Sequence, residues 1–248
     1  MLRKYNNQRS LTDNIQLGSL TAFTAGAVNV SSLILFFAFT SNVTGHYAIF
    51  AFELINGNIY RGLVAFGWIF LFFIGSFLSN LIVINLNERN TYIAHSLPLI
   101  LEIVCLLAVG IYGDNFYQKT LKETEILIGL LLLSMGLQNG LTASISNFQI
   151  KTTHLTGATT DLAILLSLFT KKKYAEMPEI INKAKLLTAI FCAYIVGALA
   201  AGFIYHAVQF KAFYFICVVL SIVIVYDLYK ISNIHFSHNR RKSRMQSA

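Results

Sequence analysis

Ser134-Met-Gly-Leu-Gln-Asn-Gly-Leu-Thr-Ala-Ser-Ile-Ser146, followed by Lys151-Thr-Thr-His-Leu-Thr-Gly-Ala-Thr-Thr-Asp-Leu162, places polar residues and glycines inside an otherwise apolar chain. The first stretch closes an apolar run, 125–146. The second opens a shorter one that ends near Phe169. The N-terminal half repeats the order: Gly26-Ala-Val-Asn29 closes a long run, Ser41-Asn-Val-Thr-Gly45 follows, and a short apolar stretch ends near Asn56. Gly26 and Gly136 are 110 residues apart, as are Asn29 and Asn139, whereas Thr44 and Thr156 are 112 apart. A two-residue insertion accounts for the change. Small residues at helical spacing come next in each half, Gly75, Ser76 and Ser79 and then Gly197, Ala198, Ala201 and Gly202, a pattern that lets helices approach closely.

The composition sets the class. Hydrophobic residues make up 56% and charged residues 12% of 248, against about 25% charge in a soluble domain. A soluble enzyme, a disordered chain and a nucleic-acid-binding domain are excluded. Crossing a hydrocarbon core takes about 20 helical residues, and six runs suffice: 17–38, 62–84, 93–112, 125–146, 186–207 and 211–229. None alternates as barrel strands do, so all read as helices.

The two short stretches read either as re-entrant half-helices or as short, tilted spans. The first choice gives six spans and inverted repeats, the second eight spans and parallel repeats. Unequal charge in the equivalent loops favours inversion. The expected organisation is an all-α integral membrane protein: a basic tail over 1–16, repeats over 17–112 and 125–230 joined by a loop at 113–124, and a second basic tail over 231–248.

The net charge is +8. Basic residues cluster at Arg3, Lys4 and Arg9, over 171–185, and from Lys230 onward. Such clusters beside apolar segments place both termini and the 171–185 loop on the cytoplasmic side. Cys105, Cys192 and Cys217 lie in apolar runs without metal-ligand spacing, so neither a metal nor a disulfide is expected.

Polar residues at membrane depth carry the functional reading. Glu102 lies mid-span, where a charge costs about 2.5–3.5 kcal/mol and calls for a partner or a proton. It is expected to face protein or water rather than lipid and to pair with a polar group of a motif helix. Asp161 lies one turn into the second short helix. These two carboxyl groups are the candidates for proton coupling. Thr44 and Thr156 are expected N-caps, each followed by a glycine, and a helix N-terminus suits an anion or a carbonyl oxygen. Asn29, Thr44, Gly45, His46, Gln138, Asn139, Thr153, His154, Thr156, Gly157 and Asp161 are the expected solute-binding set, gathered about one cavity by the repeat. Asn29 and Asn139 have an equally good reading as interhelical glue, and His95 reads as interfacial.

The two C-terminal-half stretches closely resemble the signature of the YoaK-like family, a group of bacterial multi-pass membrane proteins of unknown function. Its pattern runs Met-Gly-x-Gln-Asn-Ala, then Arg-Thr-Thr-His-x-Thr-Gly-x-x-Thr-Asp-Leu; Lys151 stands here for the arginine. Ala25-Gly-Ala-Val-Asn29 is also similar to the family. Where the family has Ser-His-Met-Thr-Gly-Asn, this chain has Ser41-Asn-Val-Thr-Gly-His46, with His and Asn exchanged. The resemblance covers about 15–230 and implies a bacterial cytoplasmic-membrane protein. It implies no activity.

The leading functional expectation is a small-solute transporter or channel with a site at the repeat interface and no cofactor. Its partners would be the lipid bilayer and an unknown small solute, and a homo-oligomer is compatible. A second reading is a non-catalytic sensor or accessory subunit. A third is an intramembrane enzyme using His46 or His154; no HExxH or GxSxG motif supports it, so no catalytic residue is assigned.

Overall fold

In the computed structural model, Leu2 and residues 9–225 are described. The helices are α1 (Leu11–Phe36), α2 (Val43–Ile55), α3 (Ile59–Leu86), α4 (Thr91–Asn115), α5 (Leu121–Ile145), α6 (Leu155–Leu168), the single turn α7 (Lys172–Ala175), α8 (Pro178–Val208) and α9 (Gln209–Val225), whose first turn is 3-10. Five of these are long and apolar enough to cross a membrane: α1, α3, α4, α5 and α8. The described part of α9 is apolar but shorter. The expected sixth run continues to 229, so its end and the expected C-terminal tail lie outside the described residues, as does most of the N-terminal tail.

The long helices begin earlier than the apolar runs. Ser10 and Asp13 form a capping box that starts α1 at Leu11, inside the expected tail. Thr120 and Glu123 do the same for α5, so the connecting loop shrinks from 113–124 to 116–120. Pro178 opens α8, which puts Lys183 and Lys185 on a helix rather than in a loop. Capping supplies partners for the first amides of a helix outside the hydrocarbon, where hydropathy says nothing.

Chain directions follow from the crossings. In α1 and α8 the contacts rise together: Gly18 meets Ile190, Gly26 meets Tyr194 and Ala198, and Val30 meets Gly202. In α3 and α5 they also rise together: Trp68 donates to the Glu125 carbonyl, Gly136 meets Phe72, Gly140 meets Ser76, and Ser144 bonds Asn80. These two parallel pairs form the most extensive contacts in the structure. α1 and α5 run opposite ways. Thr24 bonds Gln138, Asn14 at the start of α1 bonds Gln149 just past the end of α5, and Phe36 at the end of α1 packs on Tyr117 just before α5 begins. α9 is antiparallel to α4, with Phe210 against Gly113, Cys217 at Ile103 and Ile224 at Tyr92.

The short helices do not cross. α2 and α6 have 13 and 14 residues, roughly 20 Å at 1.5 Å per residue. After α1 the chain turns at Phe37, whose φ of 53° is left-handed. It then runs back along α1 until the Thr40 amide bonds Asn29 Oδ1 at 2.9 Å. α2 starts at that depth and returns alongside α3, His46 at Trp68 and Leu54 at Gly62. After α5 the chain turns at Asn147 and Phe148, with φ of 52° and 59°. It runs back until Thr152 meets Gln138 at 3.1 Å, and α6 starts there. The first half is therefore a long helix, a re-entrant helix and two long helices, the second half repeats the order with α8 and the shorter described part of α9, and the halves are inverted. The eight-span, parallel alternative is excluded, because α2 and α6 leave by the face at which they entered.

Glycines set the tightest crossings. A Cβ on Gly26 would lie 2.1 Å from the Tyr194 carbonyl, and one on Gly197 2.0 Å from that of Phe23. The matching pair is Gly136 at 2.3 Å from the Phe72 carbonyl and Gly75 at 2.3 Å from that of Leu133. Outward faces are apolar: Phe66, Phe70, Phe73 and Phe77 stack as an exposed ladder on α3, a surface suited to acyl chains.

The first prediction concerns this topology. Asn56→Cys and Lys172→Cys, each with Cys105, Cys192 and Cys217 replaced, should react with an impermeant maleimide from opposite sides of sealed, oriented vesicles. Labelling of both from one side would restore the parallel arrangement. A second prediction concerns the crossings. Gly197→Val should lower the melting temperature in detergent by several degrees, because overpacking costs about 1–3 kcal/mol.

Candidate functional site

Both re-entrant helices start at one central cavity of about 430 Å³. The first half contributes Asn29, Ser41, Asn42 and Thr44, and the second Asn139, Thr153, His154 and Thr156; Phe39, Phe72 and Tyr194 complete the wall. Among the described residues, no Asp, Glu, Lys or Arg lines it. The polar groups are amides, hydroxyls, an imidazole and a phenol, able to donate and accept.

Two further cavities abut the first. An upper one, about 460 Å³, lies between α2, α3 and the start of α5 and shares Phe39 and Asn42 with the centre. A lower one, about 200 Å³, lies between α6 and α8 and shares His154 with the centre. They occupy equivalent places in the inverted halves. Phe39 and Asn42 thus border both the central and the upper cavity, and His154 both the central and the lower one.

The expected set divides among these spaces. Asn29, Thr44, Asn139, Thr153, His154 and Thr156 come together at the centre. Gly45 and His46 lie in the upper cavity. Gly157 and Asp161 lie in the lower one, with Asp161 paired to Lys183 at 2.8 Å. Gln138 reaches no cavity. It is fully buried, accepts from Thr24 at 2.7 Å and donates to the Thr21 carbonyl at 2.7 Å and to Thr152. Asn29 combines both readings: it lines the cavity, holds Thr40, and donates to the Tyr194 hydroxyl at 2.6 Å. Asn139 keeps a buried Oδ1 without a hydrogen-bond partner among the described residues.

Several expectations need correction. The N-caps are Asn42 and His154, two residues before Thr44 and Thr156. The Asn42 side chain accepts the Gly45 amide at 3.2 Å, and an Asx side chain caps at least as well as threonine. Glu102 is fully buried, as expected, but neither oxygen has a hydrogen-bond partner among the described residues, and it lines none of the three cavities. The expected pairing with a motif helix fails because α4 packs on α3, α5 and α9 rather than on α2 or α6. His95 is buried rather than interfacial, with its Nδ1 on the Leu2 carbonyl.

Sequence reasoning did not single out Phe39, Ser41, Asn42, Val43, Phe72, Leu155 and Tyr194 as lining residues. A tyrosine inside an apolar span was a usable signal for Tyr194, since a buried phenol seeks a partner. Nothing in the sequence marks the phenylalanines.

The family described as "Protein of unknown function (DUF1275)" matches residues 17–226. That span covers both halves, and the chain belongs to this family, in line with the YoaK-like resemblance. No curated protein and no solved structure matches.

The contrast between Gln138 and Asn139 is testable. Gln138→Leu should destabilise the protein by about 1–3 kcal/mol, because it strands the buried partners of the amide. Asn139→Ala should stay within about 0.5 kcal/mol of the parent. Thermal melts in detergent compare the two directly.

Proposed function

We propose that the protein moves a small polar solute across the bacterial cytoplasmic membrane through the central cavity, as a transporter or channel, without transforming it chemically. The observation that carries this reading is the meeting of two inverted re-entrant helices at one uncharged polar cavity, with a further cavity on each side. Discontinuous helices from inverted repeats build sites of this kind in known transporters. A polar wall at that depth costs free energy unless water or a ligand meets it.

In this reading both termini and the 171–177 turn face the cytoplasm, where the basic clusters favour them. The upper cavity then opens outward. Asp161 takes the coupling role, because it lines the lower cavity beside His154; Glu102 has no such access.

Flux into proteoliposomes, measured with a panel of neutral, cationic and anionic polar solutes, tests the proposal. At least one class should move, and Asn139→Leu and Thr156→Val should each slow it by about tenfold or more. Asp161→Asn should remove any dependence on a pH gradient. Flux no greater than in empty liposomes across the panel would leave the sensor or accessory-subunit reading in its place.

A further inference from the structure

The upper cavity differs in charge from the other two. Its mouth carries Glu53 and Glu125 against Arg61. Arg61 lies 3.9 Å from one oxygen of Glu53, with its side chain 67% exposed while that of Glu53 is 12% exposed. Asn58 donates to the other Glu53 oxygen at 2.8 Å. One Glu125 oxygen accepts from Tyr60. The balance is one negative charge. In the lower cavity Asp161, the only carboxylate among the described lining residues, is matched by Lys183, and Lys151 adds a positive charge.

His46 supplies an independent observation deeper in the upper cavity. Its side chain is buried, at 3% exposure. Its Nε2 lies 2.8 Å from the Phe39 carbonyl. A carbonyl only accepts, so Nε2 holds the N–H and Nδ1 is left as an acceptor. That Nδ1 is buried with no hydrogen-bond partner among the described residues. Trp68 stands edge-on to the imidazole at 5.3 Å between centroids, held by its own N–H on the Glu125 carbonyl at 3.0 Å. The cavity thus joins an unused acceptor, two carboxylates and an aromatic wall.

We propose that the upper cavity is a binding site for a primary ammonium group. The ammonium supplies the donor that His46 Nδ1 lacks among the described residues, and its charge suits both the net negative mouth and the indole. A free small amine and the headgroup of phosphatidylethanolamine present the same chemistry. The inference rests on the transport reading only for which side of the membrane the site faces; binding itself requires no flux.

Trp68 is the only tryptophan in the chain, so its emission reports directly on the site. Protein in phosphatidylcholine nanodiscs should give a saturable emission change with n-butylamine at neutral pH, and none with 1-butanol or butyrate. His46→Phe and Glu53→Gln should each raise the apparent Kd about tenfold, equivalent to about 1.4 kcal/mol. Glu53 is at the mouth and outside the packed core, so its variant keeps the test decisive if His46→Phe misfolds. If phosphatidylethanolamine nanodiscs shift the emission without added amine, and butylamine then competes poorly, the headgroup is the source. If only the free amine acts, the ligand is a soluble amine. Equal responses to butanol and butylamine, or an unchanged Kd in Glu53→Gln, would overturn the proposal. Saturable binding without amine flux would sustain this site while the transport reading fails.

Discussion

A backbone amide or carbonyl cannot be left unpaired at the depth of a bilayer, and this chain breaks its helices there twice. At the first break Asn29 accepts the Thr40 amide, and at the second Gln138 holds the Thr152 hydroxyl. Each is an amide side chain on a long, buried helix, and each captures the segment that turns back beside it, at Thr40 and Thr152 respectively. The captured segments fix where α2 and α6 begin. That depth in turn decides that the two motifs meet at the centre rather than at opposite surfaces.

The glycine crossings complete the frame. α1 lies on α8 and α3 on α5, each pair at backbone contact, so each half is clamped to the other and not only to itself. A site at the interface of two such halves is held by the most intimate packing in the molecule. Its wall combines the loops and starts of α2 and α6 with Asn29, Phe72, Asn139 and Tyr194 from inside the long helices. One amide at the interface, Gln138, is fully engaged, while its neighbour Asn139 keeps an oxygen without a hydrogen-bond partner among the described residues.

The exchanged His and Asn of the first motif now have a physical reading. Asn42 caps α2, a role that asparagine fills well, and its inverted-repeat counterpart His154 starts α6 without a side-chain cap bond. His46 moves one turn into α2 and enters the upper cavity. The two halves therefore differ most where the outer cavities differ, one holding a buried imidazole and two carboxylates, the other a carboxylate matched by a lysine.

Sequence alone determined the membrane class, the two repeats and the pairing of their motifs, because hydropathy and spacing are properties of the chain order itself. It also brought Asn29, Thr44, Asn139, Thr153, His154 and Thr156 into one set, since the repeat requires equivalent residues to be related in space. What it left open was direction: a 13-residue apolar helix has the same composition whether it crosses or returns. Only the tertiary structure settled that, through left-handed turns at Phe37 and Phe148 and the side chains that hold the returning strands. The same reason explains the isolation of Glu102 and the appearance of Tyr194 and Phe39 at the site. Which face of a nearly all-apolar helix meets a partner is decided by the crossing of backbones, and no periodic pattern in such a helix records it.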